Sequence, residues 1–99
     1  MLTDTTGIRH LARRMRERAD EIRAEAALVR RRADDVPWRG RAADAMRTQV
    51  AVRLTTLAAT ADLHEDAAEA LERHARAVES LTGVAGAVSS AVHELGSLL

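Results

Sequence analysis

Apolar residues recur every seven positions in two blocks of this chain, and the blocks meet at the one stretch that does not read as helix. In the first block Ile8, Met15, Ile22, Val29 and Val36 form one row, and Ala12, Ala19, Ala26 and Ala33 form the row four residues on. In the second, Ala43, Val50, Leu57, His64, Leu71 and Val78 stand beside Leu54, Ala61, Ala68 and Ala75. Alternating three- and four-residue spacing is the signature of a helix with a coiled-coil seam. A large row beside an alanine row lets a second helix approach closely. A seven-residue apolar period held over so many turns leaves little room for a strand, whose period is two.

Between the blocks lies Val36-Pro37-Trp38-Arg39-Gly40, with the single Pro and the single Trp of the chain. Pro37 lacks the N–H that would continue a helix and biases Val36 toward extended backbone. Gly40 can adopt a positive φ or let two backbones come close. The spacing therefore predicts helix 1 over about 6–35, a turn at 36–40 and helix 2 over about 41–82. Thr3, Asp4 and Thr5 offer capping oxygens at the start, and Asp44 suits the first turn of helix 2. Two matched seams joined by so short a turn predict an all-α fold, an antiparallel helical hairpin forming one domain. The hairpin seam is expected to hold Ile8, Met15, Ile22, Val29, Val50, Leu54, Leu57, Leu71 and Val78. Folding about residue 38 would set Ile22 near Leu54 and Met15 near Ala61, within about a turn. Gly83 and Gly86 mark an expected break, after which 84–98 reads as a short amphipathic helix or a tail.

A hairpin buries one stripe on each helix. Here each helix carries a second, which includes Leu11 and Leu28 in helix 1 and Met46, Leu63 and Leu81 in helix 2. Helix propensity accounts for exposed Ala but not for these larger side chains. They are candidates for a partner interface, most simply with another hairpin in a four-helix bundle dimer.

Composition narrows the function classes. Of the 99 residues 46% are apolar, but there is no Phe and no Tyr, so a thick globular core is not expected. Without Cys there is no disulfide, thiol nucleophile or thiolate metal site. No apolar run approaches the roughly 20 residues of a membrane span. The N-terminus lacks the basic and apolar regions of a general secretory signal peptide, so export would need another route. The chain is neutral overall, yet residues 1–53 hold 13 Arg against 8 Asp and Glu, while residues 54–99 hold 2 Arg against 7. The simplest reading sets a basic helix beside an acidic one. Nucleic acid is not an expected partner, because no aromatic residues interleave with the arginines.

No constellation for catalysis is legible, and an enzyme is not expected. His10, His64, His74 and His93 are never three or four apart, so no helical metal pair exists. Glu65, Glu69 and Glu72 share a face but lack the Glu-x-x-His of di-metal bundles. No metal or other cofactor is called for. His64, in the seam, reads as a residue hydrogen-bonded to a neighbour. Ser89 and Ser90 have no evident base, and no phosphate loop is present. Arg30, Arg31, Arg32, Arg39, Arg41 and Arg47 cluster about the turn, among Asp34, Asp35 and Asp44. They fit a solvated tip that also satisfies the last carbonyls of helix 1, or a docking surface for an acidic partner.

A helical chain of this length with Trp38-x-Gly40 in a central turn resembles the WXG family of small type VII (ESX) secretion substrates, of the early-secreted-antigen type. The resemblance covers about residues 5–82. It implies a hairpin that pairs with a second WXG-type hairpin into a four-helix bundle, exported folded by a machine driven by a membrane ATPase, without a cleaved signal. It makes Trp38 and Gly40 the secretion and turn motif. The expected location is then outside the cell or at its surface, after folding in the cytoplasm. One departure stands out: the family's export signal, Tyr-x-x-x-Asp/Glu after helix 2, has no counterpart in a chain without Tyr. The resemblance then implies that the partner supplies that signal. The alternative is a cytoplasmic coiled-coil interaction protein, as a homodimeric bundle or the antitoxin-like half of a pair.

Overall fold

The structure is a computed structural model that describes residues 4–98. It consists of two helices, α1 (Thr6–Asp35) and α2 (Arg41–Leu98), joined by residues 36–40. At about 1.5 Å per residue α1 spans roughly 45 Å and α2 roughly 87 Å. The molecule is accordingly a rod of 89 × 15 × 14 Å. The helices run antiparallel: Thr5 and Arg9 at the start of α1 reach Glu79, and Arg23 further along reaches Asp62.

The helix boundaries follow from local chemistry. The carboxylate of Asp4 accepts a hydrogen bond from the Thr6 amide at 2.9 Å and so serves the free N–H groups of α1. Thr6, through its side chain first and its amide second, holds the Asp4 carboxyl below its ordinary pKa. Thr5 does not cap; its hydroxyl donates to Glu79 across the hairpin instead. Thr3 lies outside the described residues. Val36, before the proline, is extended at φ −63°, ψ 122°. Gly40 has φ +103°, the only positive φ among the described residues, and its carbonyl receives the first helical bond of α2 from Asp44.

The seam is built differently from a large-residue core. The fully covered positions are alanines: Ala12, Ala19, Ala61, Ala68 and Ala75 are all at most 1% exposed. Of the larger seam residues only Ile22 and Leu54 are buried. Ile8, Met15, Val50, Leu57, Leu71 and Val78 are half-buried, and Val29 is exposed. Two alanine rows facing each other bring the backbones together, and the larger side chains then flank the contact instead of filling it. The central cluster joins Ala19 and Ile22 to Ala61, with Leu57 against it. Ile22 thus packs one to two helical turns further along α2 than Leu54.

The expected break after residue 82 is absent. α2 continues through Gly83 and Gly86 to Leu98 without interruption. A glycine costs about 1 kcal/mol relative to Ala in a helix, a penalty that lowers stability without redirecting the chain. Both glycines keep negative φ. Residues 84–98 are therefore neither a separate helix nor a tail but the end of α2. Every side chain from Glu79 to Leu98 is exposed.

Candidate interaction surface

The strongest polar contacts across the hairpin form a ladder with the same seven-residue period as the seam. The Arg9 guanidinium donates to both carboxylate oxygens of Glu79, at 2.9 and 2.8 Å. Arg16 holds Glu72 at 2.9 Å and lies 3.5 Å from Glu65. Arg23 holds Glu65 at 2.6 Å and Asp62 at 3.0 Å. Arg9, Arg16 and Arg23 thus face Glu79, Glu72 and Glu65. Planar two-pronged pairing fixes direction as well as charge. The Arg16 hydrogen bond holds the Glu72 carboxyl below its ordinary pKa, and the bonds from Thr5 and then Arg9 do the same for Glu79. The guanidinium groups of Arg16 and Arg23 are pushed up by the same contacts. Within α1, Arg18 and Glu21 pair at 3.1 Å.

The ladder stops one step short of the turn. The next basic position is Arg30, and the acid that would face it is replaced by Ala58. Among the described residues Arg30 has no carboxylate within 4 Å. Here the helices leave a groove of about 490 Å³, lined by Arg30, Ala33, Asp34, Arg47, Val50, Leu54 and their neighbours. It adjoins a smaller hollow of about 190 Å³ that shares Arg30, Leu54 and Ala58. Small side chains explain the space: Ala33, Ala51 and Ala58 do not fill what Leu54 leaves open.

At the turn, Trp38 is 67% exposed. Arg47 reaches back from α2 and donates to the carbonyls of Val36 at 2.9 Å and Trp38 at 3.0 Å. It thereby satisfies acceptors just beyond α1, as a basic residue near a helix C-terminus can. Arg47 lies 3.9 Å from Asp44. The other arginines of the cluster, Arg31, Arg32, Arg39 and Arg41, are exposed, with no acid within 4 Å among the described residues.

Of the expected partner-facing residues, Leu11, Leu28, Leu63 and Leu81 are exposed and Met46 is half-buried. His64 is half-buried, with Nδ1 2.8 Å from the Thr60 carbonyl. No cluster of three His, Asp or Glu able to hold a metal occurs among the described residues. Among them, too, no helix is long and apolar enough to cross a membrane. Sequence reasoning missed the ladder, although the spacing of Arg9, Arg16 and Arg23 against Glu65, Glu72 and Glu79 could have revealed it. No family model matches the chain, and neither a curated protein nor a solved structure shows significant similarity to it.

Proposed function

We propose that this chain is a non-enzymatic pairing protein, one half of a helical dimer of the WXG type exported folded by a type VII system. The observation that carries this reading is an exposed Trp38 in the short connection of a two-helix hairpin. A lone aromatic ring left in solvent at a turn contributes little to the hairpin itself and is available to another surface. Exposed Leu11, Leu28 and Leu63 support a second hairpin as the covering partner. Since the chain has no Tyr, the partner would supply the Tyr-x-x-x-Asp/Glu signal, and the secretion ATPase would engage the pair.

The test is to express the chain with and without a neighbouring Trp-x-Gly hairpin protein and to follow complex mass and appearance in the culture filtrate. Trp38→Ala is the informative substitution, because the ring is mostly exposed and its loss should leave helicity intact. Gly40 is less useful: its positive φ makes any L side chain there strained, at about 1–2 kcal/mol. We expect Trp38→Ala to reduce export severalfold at unchanged circular dichroism. Equal loss of helicity and export would make Trp38 merely structural. A chain retained in the cytoplasm that pairs with no such neighbour would instead fit the coiled-coil interaction protein.

A further inference from the structure

The last part of α2 has no counterpart in α1 to pack on. Its final 18 residues, 81–98, extend about 27 Å past the paired region, and all their described side chains are exposed. Within them Leu81, Val84, Val88, Ala91, Leu95 and Leu98 recur at strict three–four spacing. This is a second seam, not a continuation of the first. The hairpin seam extended along α2 would pass through Thr82, Ala85, Ser89, Val92 and Gly96, of which only Val92 is a large apolar residue. The apolar row sits one residue earlier, about 100° round the helix at 3.6 residues per turn. It continues a line that starts further back at Leu63, Ala67, Ala70, His74 and Ala77.

We propose that this overhang pairs antiparallel with the overhang of a second copy of the chain, with the two-fold axis between Ser89 and Ser90. The row is self-complementary in that register. Leu81 meets Leu98, Val84 meets Leu95 and Val88 meets Ala91, and each pair occurs twice, as a two-fold interface requires. Charge allows it: Glu94 is the only Asp, Glu, Lys or Arg in the segment. In this register it lies beside the Ala85–Ala87 stretch of the second copy, away from the second Glu94. A foreign helix would be selected by flanking charges, and the segment provides almost none. A lipid surface would be met by Lys, Arg and large aromatic residues, and the segment has no Lys, Arg, Phe, Trp or Tyr. Three glycines further weaken a helical segment whose described side chains are all exposed, so pairing would also secure the helix itself. The contact is short, and it forms as concentration rises. It uses a different part of the chain from the Trp38 connection, so Trp38→Ala leaves it intact.

Sedimentation equilibrium of the full chain tests the proposal. The mass should rise with concentration from 10.8 kDa toward twice that value. The double variant Val84→Asp/Val88→Asp should remain at 10.8 kDa, with the α1–α2 hairpin retained by circular dichroism. Direction can be read because the chain has no cysteine. When Val84→Cys and Leu95→Cys chains are mixed and oxidised, the disulfide dimer should be chiefly the mixed one. A wild-type chain that stays monomeric to millimolar concentration would overturn the proposal. So would a dimer that survives the aspartates, or crosslinks chiefly between like variants. Binding of the monomer to phosphatidylcholine–phosphatidylglycerol vesicles, abolished by the same aspartates, would assign the face to lipid instead.

Discussion

The two ends of the hairpin are held by different means. At the end away from the turn, Ala61, Ala68 and Ala75 are closed against α1, and Arg9, Arg16 and Arg23 grip acids on α2. Near the turn the same seam opens into a groove, and Arg30 faces Ala58 where an acid would complete the ladder. The covalent connection explains the difference. Close to residues 36–40 the helices stay together at little entropic cost, since the loop to be closed is short. Far from the turn only packing and charge keep them joined, and there the sequence supplies both. Next to a tethered end a groove can persist without unzipping the whole, even though Ala33, Ala43 and Leu54 there stay buried.

Leucine substitutions should separate the two ends most sharply. Ala61→Leu forces three extra carbons into a site with no exposed surface. We expect a loss of about 1–3 kcal/mol in urea or thermal unfolding. Ala58→Leu, beside the groove, should be tolerated or mildly stabilising. Equal losses at both sites would mean that the groove is not usable space.

Acid should act next, and on the far end first. Glu72 and Glu79 have folded pKa values below their ordinary range, near 4.3 for free glutamate. A depressed carboxylate pKa contributes stability that is present above the unfolded value and is lost as pH falls through the folded one. The melting temperature should therefore hold from pH 7 to about 5 and decline below about 4. In Glu72→Gln/Glu79→Gln the hairpin should be less stable at pH 7 and its acid decline shallower. An unchanged decline would show that these pairs do not hold the far end.

The smallest effect is expected from completing the ladder. Ala58→Glu opposite Arg30 should add a modest gain that disappears in high salt, as exposed ion pairs do. No gain at low salt would indicate that Arg30 does not lie in register with Arg9, Arg16 and Arg23.

These contrasts also explain what could be read from the sequence. The limits of α1 and the connection were legible because Pro37 and Gly40 impose backbone geometry regardless of tertiary context. The heptad rows located the seam, but they did not reveal that alanine would take the covered centre and leave Val29 exposed. How closely two backbones approach depends on both rows at once. The uninterrupted run of α2 was not legible, because Gly83 and Gly86 weaken a helix by amounts too small to decide where it ends. The ladder was present in the spacing of unlike charges on separate helices. It becomes evident only once the register of the two helices is known. Trp38 and Gly40 were marked as a pair, and the structure gives them different tasks: Gly40 bends the backbone, while Trp38 faces solvent.

The proportions of the rod have a practical consequence. A particle 89 Å long and about 15 Å across diffuses more slowly than a sphere of its mass. On a sizing column calibrated with globular standards the monomer will elute early and resemble a dimer. Self-association of this chain is therefore properly judged by mass, from sedimentation equilibrium or light scattering, rather than by retention volume.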